Sequence, residues 1–146
     1  MQFKCEQFNA LDAHTLFTIM RGRVDVFVVE QACPYPELDD VDIDLNTQHL
    51  YTLDNGRLHT YARCYEKNEQ YSAIGRVLVS KSARGKGDAT VLVSKAIECC
   101  KERWPERDIY IGARTYLLDF YRFEDYKSEY LEDGIPHQDM ILKLTQ

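Results

Sequence analysis

Two rhythms of hydrophobic and polar positions alternate along the chain. After Asp12, apolar residues recur every three to four positions to about Val29, and this spacing predicts an amphipathic helix that Asp12 caps. The segment from Asp88 to Arg103 has the same spacing, and Trp104-Pro105 ends it because proline cannot continue a helix. The pattern therefore predicts two long helices.

The other rhythm is that of β-strands. Residues 48–54 and 57–66 are predicted to form a hairpin, because Asn55-Gly56 between them tolerates positive φ angles. A strand over 74–79 contains Val77-Leu78-Val79, which is apolar on both faces and so predicts a central position in the sheet. The remaining predicted elements are strands near 2–8, 108–112, 126–130 and 138–144, a short helix at 116–123, and a turn-rich loop at 132–137. This order predicts a single α/β domain over 1–146, in the wider α+β sense.

Composition and charge narrow the functional classes. The 146 residues have no apolar run of the roughly 18 residues that a membrane span needs, and no secretory signal is recognisable. The formal net charge of -6 disfavours nucleic-acid binding, since phosphate backbones repel an acidic chain. An acidic segment, Glu37 to Asp44, follows the first helix and is predicted to be a solvated loop.

The cysteines indicate a reducing compartment. There are five, an odd number, and none is spaced as C-x-x-C. We therefore predict free thiols, a cytoplasmic location and no metal site, with Cys33 in a polar loop as the most exposed thiol.

The most informative segment is a basic, glycine-containing turn. The predicted strand Val77-Leu78-Val79 runs into this turn, and the second long helix follows it. The first N–H groups of a helix have no partner within the helix, and the helix dipole adds to their affinity for anions. Gly85 and Gly87 let the backbone approach a ligand closely, and Arg84 and Lys86 add positive charge.

Other phosphate-binding motifs fit this turn less well. A P-loop requires Ser or Thr after the lysine, but Lys86 is followed by Gly87. The dinucleotide fingerprint lacks its third glycine, because Thr90 stands at that position. An ordinary basic turn before a helix is the structural alternative, and the turn alone does not exclude it.

The segment Arg84-Gly85-Lys86-Gly87-Asp88-Ala89 resembles the R/Q-x-x-G-x-G/A signature of the GNAT superfamily of N-acetyltransferases. This resemblance implies a mixed, mostly antiparallel sheet flanked by helices, which splits beside its central strand. It also implies that acetyl-coenzyme A is the co-substrate. Backbone amides of Arg84, Gly85, Lys86, Gly87, Asp88 and Ala89 would then bind the pyrophosphate, and Val77, Leu78 and Val79 would bind the pantetheine arm.

Further motifs in the same order are similar to the ElaA-like subgroup of that superfamily. They are Val26-Phe27-Val28-Val29-Glu30-Gln31, Cys33-Pro34-Tyr35, Tyr61-Ala62-Arg63, Gly75-Arg76-Val77, Phe120-Tyr121 and Glu132-Asp133-Gly134-Ile135-Pro136-His137. One position departs from the family pattern: Asp125 stands where a glycine often follows the Phe-Tyr pair. Aspartate tolerates a left-handed turn, so the local backbone can survive this exchange.

The resemblance also implies catalytic roles. Tyr121 would be the general acid that protonates the departing thiolate, and the Val79 N–H would polarise the thioester carbonyl. A core tyrosine is the alternative, since the chain has ten. For the general base we favour Glu30 at the end of the first helix. The alternative is that Glu30 is only an exposed carboxylate at the helix end. His49 and His137 are further candidates for moving a proton.

The acceptor is expected to be a primary amine of a small molecule or peptide. Arg63, Arg76 and His137 are candidate substrate-binding residues; solvated or salt-bridged arginines are the alternative for the first two. No sequence pattern marks a nucleophilic cysteine or serine, which favours direct attack by the amine. A non-catalytic acyl-coenzyme A-binding protein and a protein-interaction module are the functional alternatives. The oligomeric state stays open, a homodimer included.

Overall fold

Eight strands form a mixed sheet in the part of the chain that the structure describes. The computed structural model describes residues 2–114, 124–125, 130–132 and 135–142, without the side chains of 112–140. The strands are β1 (Lys4–Glu6), β2 (Gln48–Asp54), β3 (Arg57–Glu66), β4 (Tyr71–Val79), β5 (Asp108–Arg114), β6 (Glu124–Asp125), β7 (Tyr130–Glu132) and β8 (Ile135–Leu142). The long helices are α1 (Ala13–Val24) and α2 (Asp88–Arg103).

The sheet has the order β1-β2-β3-β4-β5-β8-β6, and β7 also pairs with β8. All described pairs are antiparallel except β4 with β5, which α2 connects as a parallel crossover. The expectation of a mixed, mostly antiparallel sheet flanked by helices is therefore confirmed.

The two helices cover opposite faces of the sheet. Alternate residues of β3 point to opposite faces, so Tyr61 packs on the α1 side and Ala62 and Cys64 on the α2 side. Leu92 and Ala96 of α2 have no exposed surface in the larger of these two cores. Burial on both faces explains why β3 and β4 lack a solvated side.

Several boundaries agree with the prediction. The hairpin strands and α2 have the predicted bounds, and Asp12 caps α1 by accepting a 2.7 Å hydrogen bond from the Thr15 N–H. The first helix changes character after Val24: Asp25–Glu30 continues it as a π-helical segment rather than as α-helix. Such segments are frequent at functional sites.

Three predicted boundaries were wrong. The opening strand is confined to Lys4–Glu6, and the central strand β4 begins at Tyr71 instead of Ile74. Pro136 and His137 were assigned to a loop, but they lie in β8, which pairs with β7 through the close register Glu132↔Ile135. The helix predicted at 116–123 lies outside the described residues.

Candidate cofactor and substrate site

Strand β4 carries a bulge where it approaches its carboxyl end. Arg63 of β3 pairs with Gly75 and Tyr61 pairs with Leu78, so two residues of β4 lie opposite one residue of β3. One of the two, Arg76, has a φ of 51°. A non-glycine residue in this left-handed region is uncommon and requires support from its surroundings.

The sheet opens just beyond this point. Strands β4 and β5 pair from Tyr71↔Asp108 to Ile74↔Ile111, yet β4 continues to Val79 and β5 to Arg114. Strand β8 pairs with the other edge of β5, from Ile109 to Arg114, and so does not fill this gap. The last residues of β4 therefore have no strand partner on the side toward β5, where an extended ligand can add as a further strand.

The basic turn follows directly at the end of β4. A 3-10 turn over Lys81–Ala83 buries Ala83, and the chain then passes through Gly85 and Gly87 with φ angles of 82° and 80°. Both angles are left-handed and favour glycine. A Cβ added at either glycine would meet no atom within 4 Å, so the space in front of this backbone is open.

Helix α2 starts at this turn without a side-chain cap. Its N-cap is Gly87, which has no side chain to bond the first amides. His59 Nε2 lies 3.0 Å from a carboxylate oxygen of Asp88, so the acidic residue at the start of α2 is paired toward β3. An open glycine backbone and an uncapped helix start are features that anion-binding turns share, and the sequence predicts such a site at this turn.

Arg84 connects this turn to the π-helical segment. Its Nε donates to the Val79 carbonyl at 3.0 Å, and its guanidinium forms a 2.7 Å ion pair with Glu30. The two predicted site residues Glu30 and Arg84 are thus in direct contact, both partly exposed. A cavity of about 300 Å³ adjoins them and is lined by Thr18, Arg21, Asp25, Arg57, Leu78 and Lys81 among others.

The acidic segment after the first helix is not a solvated loop, contrary to expectation. Glu37 and Asp42 are buried and belong to a network of three carboxylates and three guanidinium groups. Arg23 donates to Glu37 at 2.8 Å and to Asp42 at 2.6 Å. The other members of this buried ion network are Asp39, Arg63 and Arg76. Glu37 and Asp42 can be buried because guanidinium groups neutralise them, whereas Asp39 lies at the solvent-exposed end of the network.

The buried ion network supports the bulge. Arg76 donates from Nε to Glu37 Oε2 at 3.0 Å and lies over the ring of Tyr35, which in turn donates to Glu37 Oε1. The strained residue of β4 is therefore held by the segment that follows α1. These contacts make Arg76 a salt-bridged arginine, which was the alternative prediction to a substrate-binding role.

Arg63 is also ion-paired but keeps one unused donor. Two 2.7–3.0 Å hydrogen bonds join its terminal nitrogens to Asp39, and a third reaches Asp42. Its Nε is buried without a partner. A Cβ built on Gly75 would lie 3.9 Å from that Nε and 3.8 Å from the Tyr65 hydroxyl. Gly75 therefore lies in close contact with this buried N–H donor, next to the point where the sheet opens.

His49 completes the buried polar core as a neutral ring. The Asp42 carbonyl, 2.9 Å from Nε2, can only accept, so Nε2 carries the hydrogen and Nδ1 accepts from the Tyr61 hydroxyl at 2.6 Å. Burial lowers the pKa of His49, which keeps the ring uncharged beside Arg23 and Arg63. With no exposed surface, His49 is a structural residue here.

The charged partners set the ionisation of the carboxylates. Although burial opposes it, the hydrogen bond from Arg23 holds the pKa of Asp42 below its usual value. Arg63 does the same for Asp39, again against burial. Asp39 and Asp42 are therefore ionised at neutral pH.

Sequence reasoning missed the central member of this network. Arg23 has no exposed surface, yet it was not singled out. Its signal was its place four residues after Ile19 and four before Phe27, on the core-facing stripe of the helix. A charged residue on such a stripe requires a buried partner.

Two predicted site residues have no described side chain. Tyr121 lies outside the described residues, and His137 is described only as a backbone position of β8 opposite Arg114. Within the described part of the chain, no group of three His, Cys, Asp or Glu side chains could hold a metal ion. In the same part, no helix is both long and apolar enough to cross a membrane.

Most of the chain matches a known protein family. The acetyltransferase (GNAT) domain matches residues 22–144, and the chain belongs to this family. Its class of chemistry is therefore acyl transfer from an acyl-coenzyme A.

The ElaA-like resemblance is also confirmed. The chain is 36% identical to protein ElaA of Escherichia coli K12 over 143 residues, 94% of each chain. It is 38% identical to a UPF0039 protein of Schizosaccharomyces pombe, over 99% of this chain and 98% of that one.

Solved structures agree with these relatives. The crystal structure of E. coli ElaA superposes with a TM-score of 0.90 at 34% identity, over 98% of this chain and all of that one. An acyl-CoA N-acyltransferase from Pseudomonas aeruginosa reaches 0.89 at 33% identity, over 97% and 99% of the two chains.

Proposed function

We propose that the protein is an N-acetyltransferase that moves the acetyl group of acetyl-coenzyme A to a primary amine of a small molecule or peptide. The observation that carries this proposal is the continuous path from the free edge of β4 to the uncapped start of α2. Along it lie the left-handed glycines Gly85 and Gly87 with open space before them. We treat 1–146 as one catalytic domain in the cytoplasm.

The residues present fit coenzyme A along that path. A pyrophosphate would accept hydrogen bonds from the backbone of Arg84 to Ala89, with Lys86 exposed beside it. The amide-containing pantetheine arm would pair with the free edge of Val77, Leu78 and Val79. To contact the pyrophosphate, the Arg84 side chain would have to leave Glu30, so cofactor binding competes with that ion pair.

The reaction is a direct attack. The neutral amine nitrogen bonds to the thioester carbonyl carbon, the C–S bond breaks, and the thiolate leaves with a proton. We propose Tyr121 as the donor of that proton and Glu30 as the acceptor of the amine proton. An alkyl ammonium with a pKa near ~10 must lose a proton before it can attack, and this is why a base is needed.

The acceptor would be positioned where the sheet opens. The buried Nε–H of Arg63, which has no hydrogen-bond partner, supports a hydrogen bond to an oxygen of the substrate. Arg76 is largely engaged by the buried ion network, so we propose that it shapes this wall rather than binding the substrate itself. His137 stays a candidate on β8.

The proposal is tested by an amine panel. Purified protein, acetyl-coenzyme A and single amines are incubated, and the released thiol is measured. We expect release that depends on one class of amine. Binding of coenzyme A without release from any amine would favour the non-catalytic alternative. Absence of calorimetric binding would favour a protein-interaction module; size-exclusion chromatography with light scattering would decide whether the active form is a homodimer.

Catalytic roles are tested separately from binding. Tyr121→Phe should lower kcat at least tenfold while the Kd of coenzyme A stays within twofold, because only the proton donor is removed. Tyr71→Phe, at the opposite end of β4 from Val79, is the control and should keep kcat. For Glu30→Gln we expect a lower kcat that recovers as pH rises and the amine deprotonates unaided. A changed Kd with unchanged kcat would instead limit Glu30 to holding Arg84.

A further inference from the structure

Two thiols face each other on elements far apart in sequence. Cys5 lies on β1 and Cys99 near the end of α2, and their Sγ atoms are 3.4 Å apart. The chain separation is 94 residues. The expectation that Cys33 is the most exposed thiol was wrong: Cys5 is exposed and Cys33 is half-buried. We call Cys5 and Cys99 the sulfur pair.

The sulfur pair borders a surface cavity: Cys5 is exposed, and Cys99 is buried beside it. Both thiols line a surface cavity of about 390 Å³, whose charged members are Lys4, Lys95, Glu98, Glu102 and Arg103. Cys99 is eleven residues after the start of α2, or about 16 Å along the helix axis. The cavity is therefore separate from the proposed cofactor path.

The surroundings favour a thiolate on one of the two sulfurs. Hydrogen bonds from Cys5 and Cys64, together with the charge of Arg103, lower the pKa of Cys99. The pKa of Cys5 is raised, first because its thiol hydrogen bonds to Cys99 and then by burial. In this arrangement Cys99 would be the attacking sulfur, and Cys5 lies close enough to form a disulfide with it.

We propose that Cys5 and Cys99 form a reversible disulfide by exchange with a low-molecular-weight disulfide such as oxidised glutathione. The Cys99 thiolate attacks one sulfur of the small disulfide, so that a mixed disulfide forms and one small thiolate leaves. Cys5 then loses its proton and attacks the Cys99 sulfur, which releases the second small thiolate. The two protein thiols are oxidised, the small disulfide is reduced, and the two protons end on two small thiols.

The bridge would connect the edge of the sheet to a helix on its face. In the described pairs, β1 pairs only with β2, through three residue pairs. A Cys5–Cys99 bond would tie this short edge strand to α2, so the oxidised protein should resist heat better. The inference is independent of the proposed function.

The test titrates the reduced, full-length protein with mixtures of oxidised and reduced glutathione. After acid quenching and alkylation, mass spectrometry should find one linked peptide pair, with fragment ions assigning the bond to Cys5 and Cys99. Cys33, Cys64 and Cys100 should be alkylated. The oxidised form should also show a higher Tm, and added reductant should reverse both changes.

Variants separate this inference from non-specific oxidation. Cys5→Ser, at an exposed position, should stop at a glutathione adduct on Cys99. Cys33→Ser is the matched control and should form the bridge like the parent. A linked pair that contains Cys64, or a stable adduct on Cys5 in the unaltered protein, would overturn the proposal. So would full alkylation of both cysteines at every glutathione ratio.

Discussion

Arg23 carries a positive charge on the apolar side of α1, where solvent does not reach it. Arg23→Met keeps most of the side-chain volume but leaves Glu37 and Asp42 buried without their main partner. We expect a loss of about 3–5 kcal/mol in the free energy of unfolding, which is typical when one member of a buried ion pair is removed. Urea unfolding at pH 7 measures it.

An exposed pair provides the control for this prediction. Arg107 forms a 2.6 Å ion pair with Glu66, and both side chains are partly exposed. Arg107→Met should cost about 0–1 kcal/mol, because solvent screens such a pair. Equal losses in the two variants would mean that the buried ion network stabilises the fold no more than surface charges do.

His49 makes stability depend on pH. Burial keeps its pKa in the folded state below the unfolded value of about 6.5. Above that pH both states are neutral; below it the unfolded chain binds the proton first, so stability falls as pH falls toward the folded pKa. The slope from this one group can approach about 1.4 kcal/mol per pH unit.

We expect His49→Gln to flatten that slope between pH 6.5 and the folded pKa, at the cost of lower stability overall. Urea unfolding at several pH values between neutral and mildly acidic measures the slope. The exposed His14 is the matched position, and His14→Gln should keep the slope of the parent. An unchanged slope in the His49 variant would show that other groups cause the acid sensitivity.

At the residue scale, the sequence predicted which residues belong to a site better than it predicted which residues contact one another. Gly85 and Gly87 were predicted as points of close backbone approach, because glycine lacks a Cβ, and the structure adds that both have left-handed φ angles. The buried ion network was not, because Glu37, Asp39 and Asp42 resemble any acidic loop until three arginines from α1, β3 and β4 meet them. Such neutralisation depends on contacts between distant segments, and a single sequence does not encode them in a readable spacing.

Among the elements, α1 crosses β3 at closest approach through Gly22. A Cβ at this position would lie 2.7 Å from Leu58 Cβ and 2.6 Å from Leu58 Cδ2, well inside normal contact. Alanine favours helix by about 1 kcal/mol over glycine, but overpacking costs about 1–3 kcal/mol. We therefore expect Gly22→Ala to lower stability by about 1 kcal/mol, measured by urea unfolding.

The clash itself can be tested by a double-mutant cycle. In a Leu58→Ala background the methyl group meets fewer atoms, so Gly22→Ala should cost less there than in the parent. A stabilising effect in the parent would mean that α1 shifts away from β3 and that helix propensity dominates.

Element types and their order were predictable because each has a local pattern. The hairpin around Asn55-Gly56 and the helix Asp88–Arg103 matched to the residue. The bulge at Arg76 and the π-helical segment Asp25–Glu30 were not predicted. Both adjust the backbone by one residue to fit distant neighbours, and neither changes the hydrophobic rhythm of its element.

For the whole molecule, contacts on both faces of β4 hold the strand in place beside the split between β4 and β5. The buried ion network fixes the α1 side of β4, and the packing of α2 fixes its other side. A sheet held in this way keeps the gap between β4 and β5 without a ligand. Binding of the cofactor therefore requires little ordering of the backbone. Binding should therefore stabilise the entire fold by mass action, by about 2.7 kcal/mol when coenzyme A is present at a hundred times its Kd.

That stabilisation predicts a rise in Tm of roughly 5–11 °C for a chain of this size. Two matched glycine variants test whether the rise comes from binding at the turn before α2. Gly87 and Gly56 have φ angles of 80° and 74°, and neither added Cβ would meet an atom within 4 Å. Alanine at either position should therefore destabilise the free protein similarly, by about 1–2 kcal/mol.

Only Gly87→Ala places a methyl group before the amides at the start of α2. It should weaken coenzyme A binding at least tenfold by calorimetry and lose most of the ligand-induced rise in Tm, whereas Gly56→Ala keeps both. Equal losses in the two variants would mean that the pyrophosphate does not bind at that turn.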